Sequence, residues 1–186
     1  LPRDLADRYQ LESQIPDNQR PVVFIGPYEH HSNELPWRES IADVVSISIT
    51  DCGQINLAEL EQQLKAYADR PLLIGSFSAG SNVTGVKSNV VEVSRLLQKH
   101  GALTFWDYAA AAPYVAIDMR GDAPIDAVFI SPHKFVGGPG TPGVLVVKKS
   151  VLQNSVPAVV GGGTVMYVTP EDHLYIEDHE RREEGG

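Results

Sequence analysis

The stretch "FISPHKFVGGPGTPGVLVV", residues 129–147, sets a lysine where an apolar run leaves the core. Ala127 to Ile130 has the character of a buried strand. Ser131, Pro132, His133 and Lys134 follow at once, and then a loop of glycines and prolines. A solvated lysine needs neither neighbour. A lysine that bonds covalently to a bound group uses both, because such backbone can approach a ligand closely. A second reactive side chain, Asp107, stands 27 residues earlier at the end of "ALTFWD".

The elements that must carry these residues alternate. Six runs are candidate strands: 22–25, 44–49, 72–77, 102–107, 127–131 and 144–148. Most are continuously apolar, as in strands buried on both faces. Helical spacing fills two gaps. Leu57, Leu60, Leu64 and Tyr67 make one apolar face behind an Asn56 cap, with Glu59 at the third helical position. Val90, Val93, Leu96 and Leu97 make another, with Gly101 just past the end. Strand alternating with helix predicts an α/β fold: a mostly parallel sheet with helices on both faces. The division expected is an α/β domain over 1–160 and an irregular, charged tail over 161–186. His173 and His179 are expected to be solvated residues of that tail.

In such a sheet, ligands bind beyond the carboxyl ends of the strands. The residues found there are His30 and His31, Asn82, Asp107, and Ser131 with His133 and Lys134. The set fits pyridoxal 5'-phosphate. That cofactor takes a lysine for its Schiff base and a carboxylate on its pyridinium nitrogen. Its phosphate takes hydroxyls and backbone N–H groups, and its ring takes a flat partner such as histidine.

Other readings carry less. Adjacent histidines rarely share one metal, and no third ligand stands at zinc-like spacing, so no metal is expected. The "GGPGTPG" loop lacks the Gly-Lys-Ser/Thr ending of a P-loop, and no G-x-S-x-G elbow exists for a serine hydrolase. The formal net charge of −9, from 24 acidic and 15 basic residues, argues against nucleic acid or an anionic membrane as partner. The single cysteine, Cys52, excludes an internal disulfide and fits a cytoplasmic setting.

"EHHSNELPW", "SNVTG", "FWDYAAAAP", "SPHKFVGGPGTPGVLVVKK" and "GGGTV" together resemble the class V aminotransferases, from about residue 21 onward. This branch of the fold-type I enzymes includes cysteine desulfurases and selenocysteine lyases. The resemblance implies the large, cofactor-binding domain of that fold, truncated at both ends, with "VLVVK" running antiparallel. It makes His30 the residue stacked on the ring, and Asn82 the neighbour of the phenolic oxygen. Asp107 becomes the pyridinium partner, and Ala109 the small residue on the other face. Ser131 and His133 become phosphate ligands, and Lys134 the Schiff-base lysine, which also moves the substrate's α-proton.

The expected activity is pyridoxal-phosphate chemistry on a small-molecule amino acid, in a protein that forms a homodimer at full length. Cysteine or selenocysteine desulfuration is the alternative, set against by Ala110, where desulfurases carry glutamine. The chain opens on Leu1, and the family's glycine-threonine phosphate loop, carboxylate-binding arginine and catalytic cysteine do not appear in it. The segment is therefore expected to be inactive alone, and one reading has it as a domain that holds no cofactor.

Overall fold

The computed structural model describes residues 3–185. It divides into two compact units, one through Val146 and one from Val147.

The first unit opens with the short helix α1 (Arg3–Arg8) and is built on a sheet of six strands. They are β1 (Val22–Ile25), β2 (Asp43–Ser46), β3 (Leu73–Ser78), β4 (Leu103–Asp107), β5 (Ala127–Ile130) and β6 (Val144–Val147). Their spatial order is β2-β1-β3-β4-β5-β6. The pairs β1–β2, β1–β3, β3–β4 and β4–β5 are parallel. β1 and β3 are buried along their whole length, which is why their sequences do not alternate. At the far edge, Val144, Leu145 and Val146 are exposed.

Both faces are covered. α3 (Leu57–Ala66) and α4 (Val90–Lys99) bury Leu60, Leu64, Val93 and Leu97 in one core with Val22, Phe24, Phe77 and Trp106. Trp106 Nε1 donates to Ser94 Oγ of α4 at 2.9 Å. Gly75 lets α4 lie close: a Cβ there would stand 2.6 Å from a Leu97 methyl. The opposite face receives α2 (His31–Arg38), whose Trp37 ring lies 6.2 Å from Phe105. The helix caps follow the sequence pattern. Asn56 accepts from the Glu59 N–H, Asn89 from the Glu92 N–H, and Gly101 has φ +72°.

One element departs from expectation. α2 was not anticipated; its polar sequence and internal Pro36 give no helical signal. His30 caps it by accepting the Ser32 N–H, and Asn33 in its first turn is bonded to Glu29 and Ser76. "DYAAAAP" folds as successive turns, with the Ala111 and Ala112 N–H groups both donating to the Tyr108 carbonyl.

The second unit holds β7 (Val165–Val168), β8 (His173–Tyr175) and α5 (His179–Glu184), with β7 and β8 antiparallel. It begins at Val147. Long-range bonds draw residues 152–158 into it. Arg182, 3% exposed, donates to the Asn154 and Ser155 carbonyls. The Ala158 N–H donates to Glu183. His179 bonds the Leu152 carbonyl, so it is a packed residue rather than a solvated one. His173 is exposed, its ring edge-on to Tyr175 at 4.9 Å.

Candidate functional site

β1 leads outward to β2, and the chain then crosses back to β3 on the other side of β1. The loops after β1 and β3 therefore leave toward opposite faces and open a crevice at their carboxyl ends. This is the switch point at which parallel sheets bind ligands. A narrow cleft lies there, lined by His30, Ser78, Gly80, Asn82, Asp107, Ala109, Ala110 and Lys134. Five residues singled out from the sequence thus meet on one wall system. Ser131 and His133 sit on the same turn as Lys134 but do not line the cleft.

Asp107 is the last residue of β4 and is 9% exposed. Its Oδ1 accepts the Ala109 N–H at 2.7 Å, which bends the chain away from the sheet. Among the described residues, Oδ2 has no hydrogen-bond partner, so one oxygen remains for a ligand.

His30 caps α2. Its Nδ1 accepts the Ser32 N–H at 3.1 Å and lies 3.0 Å from Ser32 Oγ. An Nδ1 that accepts from an amide carries no proton, so the neutral ring bears its hydrogen on Nε2. His31 begins the helix and does not line the cleft.

Lys134 ends a 3-10 turn, Pro132–Lys134, directly after β5. Among the described residues its amine has no ion pair and no hydrogen bond. The glycine loop folds back onto this turn. Gly138 is buried, and a Cβ on it would collide with the Pro132 carbonyl. Gly137 and Gly140 take φ +80° and +86°. The glycines therefore serve the backing of the lysine turn. Asn82 stands exposed after β3, within the turn in which Ser81 Oγ accepts the Val83 and Thr84 N–H groups, each at 3.2 Å.

Two residues escaped the sequence reading, Glu29 and Ser78. Glu29 reaches from the β1 loop to the end of β3. It accepts the Ser78 N–H at 2.8 Å and Ser78 Oγ–H at 2.6 Å. Burial pushes its carboxyl up, the Ser78 and Asn33 bonds work the other way, and the Asp107 charge adds to the rise. The available signal was weak: a glutamate beside the paired histidines, in a loop leaving a buried strand.

Residues 11–186 match the family model described as aminotransferase class-V. The chain belongs to the class V aminotransferase family. Within it, the chain is 32% identical over 168 residues to a probable cysteine desulfurase 2 of Mycobacterium leprae. That match covers 88% of this chain and 38% of the relative, so the chain spans well under half of the relative's length. The apo structure of a cysteine desulfurase from Thermococcus onnurineus superposes with a TM-score of 0.74 at 26% identity. It covers 90% of this chain and 41% of that one. The cysteine desulfurase CsdA of Escherichia coli, at 23% identity and a TM-score of 0.77, shares the fold over 95% of this chain and 43% of its own. The six-stranded unit is accordingly a class V, fold-type I large domain, present in part.

Proposed function

We propose that this chain is the cofactor-binding part of a pyridoxal-phosphate enzyme that removes sulfur from cysteine. The observation that carries the cofactor reading is the cleft itself. It joins an amine with no ion pair, a carboxylate with one oxygen open, and an imidazole of defined tautomer. That donor set fits pyridoxal phosphate. Lys134 would hold it covalently through Nζ, Asp107 would take its ring nitrogen, and His30 would cover its face. Ser131 and His133 are proposed for the phosphate. When bound, the cofactor supplies an electron sink for charge developed at the substrate's α-carbon.

The chain's own residues set the conditions. Asp107 is buried, so its negative charge acts through little solvent and holds a proton on a nitrogen opposite Oδ2. The Ala109 N–H fixes that carboxylate's direction. Lys134 is exposed on a short turn, free to take a proton and return it. The substrate assignment draws on the cysteine desulfurases among the relatives.

A second reading rests on Ala110. It lines the cleft with a methyl group, where no hydrogen bond to a ligand oxygen can be made. That favours another class V reaction, transamination of an amino acid.

The test is an absorbance titration with pyridoxal phosphate, followed by borohydride reduction and peptide mapping, with Lys134→Ala as control. A saturable yellow species trapped at Lys134 supports the cofactor reading. Trapping scattered over surface lysines and unchanged in the variant overturns it. The full-length protein is then given cysteine with a dithiol reductant and 2-oxoglutarate as amino acceptor. Alanine with sulfide, the reductant supplying the two electrons, indicates desulfuration; glutamate with the keto acid of cysteine indicates transamination.

A further inference from the structure

The loop that carries His30 and the strand end that faces Asp107 are not independent. The Glu29 side chain joins them. Its two oxygens receive four donors: the Gly26 N–H at 3.2 Å, Asn33 Nδ2 at 2.7 Å, and the N–H and Oγ–H of Ser78. An ionised carboxylate offers about four lone-pair sites, so every one is used. Gly26 opens the loop and Asn33 closes it, and His30 lies between them. Asn33 is itself held, its Oδ1 accepting Ser76 Oγ–H at 2.7 Å in the buried interior. The Asn33 N–H donates to the His30 carbonyl at 2.8 Å.

Ser78 is held a second way. Its carbonyl accepts Ser88 Oγ–H at 2.6 Å, and Ser88 Oγ lies 2.8 Å from Tyr28 Oη. Consecutive side chains, Tyr28 and Glu29, therefore grip one residue through its N–H, hydroxyl and carbonyl. No residue of this grip is used by the chemistry above, and a carboxylate next to Asp107 is costly to keep in place. A structural purpose alone would be served by apolar packing at lower cost.

We propose that Glu29 is a positioning residue of the cleft, setting the His30 ring and Ser78 as one unit beside Asp107. The proposal deepens the cofactor reading and rests on it for its use. Glu29 touches no ligand; it acts through His30 and Ser78. Glutamine in its place offers an N–H₂ to donors that need an acceptor, so the unit loosens while the side-chain volume is kept.

Two readouts test it on Glu29→Gln and Ser78→Ala, the second removing only a hydroxyl. The first needs no cofactor: the ring nitrogen resonances of His30 in the free chain. In both variants the Nδ1 signal is expected to lose its single acceptor state. The second is the circular dichroism band of bound pyridoxal phosphate and its apparent Kd, expected to weaken roughly tenfold in Glu29→Gln. If thermal stability falls while the His30 resonances, the band and the Kd match the parent, Glu29 is structural only and the proposal is overturned. If the parent takes no pyridoxal phosphate at Lys134, the cofactor reading fails, and the His30 resonances still decide the positioning of the ring.

Discussion

Ser78 and Asp107 are register partners at the carboxyl ends of β3 and β4. Paired residues of parallel strands point to the same side of the sheet, so the gripped serine and the buried aspartate stand shoulder to shoulder on the cleft floor. The Ala79 N–H donates to the Asp107 carbonyl at 2.9 Å and extends the ladder past both. The floor is therefore rigid where a ligand's charge would be met.

Asp107→Asn tests that charge. Asparagine keeps an oxygen for the Ala109 N–H, so the fold is expected to survive. One charge-assisted hydrogen bond to a ligand is lost, about 1.5–3 kcal/mol, or roughly ten- to a hundredfold in pyridoxal phosphate affinity. Absorbance titration measures it. An affinity equal to the parent's would remove Asp107 from the site.

Gly138→Ala separates the lysine's backing from its chemistry. The new methyl would meet the Pro132 carbonyl carbon at 2.9 Å as well as its oxygen. The loop must shift, at about 1–3 kcal/mol. Borohydride trapping at Lys134 is expected to slow while the α3–α4 core stays intact by amide hydrogen exchange. Normal trapping with a lower melting temperature would show that the loop and the turn are uncoupled.

Gly75→Ala strikes the other face. Its Cβ would crowd Leu97 and come within 2.9 Å of Phe77. A loss of about 1–3 kcal/mol is expected in denaturant unfolding. The double variant Gly75→Ala/Leu97→Val should cost less than the sum of the two singles, because the shortened side chain makes room. Strict additivity would mean that α4 moves as a body instead.

Glu61 links α3 to α4. Its Oε1 lies 2.8 Å from Lys99 Nζ, 3.3 Å from Lys65 Nζ and 3.6 Å from His100 Nε2. The Lys99 and Lys65 ammonium groups hold its carboxyl down at about 2 from 4.5. The folded state thus binds fewer protons than the unfolded state. The stabilisation is complete above 4.5 and is lost as pH falls toward 2. Urea midpoints of the parent and Glu61→Gln should differ at neutral pH and converge on acidification. A gap that widens in acid would reverse this assignment.

The strands were legible because burial on both faces leaves an unbroken apolar run, as in "VVFI". Asn56 and Gly101 were legible because caps act within a few residues. Local signals also place Lys134 and Asp107, each at the end of such a run. The rest depends on distance along the chain. The donors of Glu29 include one 49 residues away, and nothing near Glu29 announces it. The second unit is held by Arg182 reaching carbonyls 27 and 28 residues earlier, so its sequence looks like a charged tail. The alanines after Asp107 favour helix by propensity, yet the chain makes only successive turns there, with the Ala111 and Ala112 N–H groups sharing the Tyr108 carbonyl.

The grip of Tyr28 and Glu29 on Ser78 also limits how this protein can be recombined. A chimera that exchanges residues 26–33 with a relative but keeps β3 would pair a foreign carboxylate with native donors, or leave those donors facing nothing. The two segments lie far apart in the chain, yet their side chains make one hydrogen-bonded unit. Crossovers between them should be tolerated only when the two segments come from the same parent.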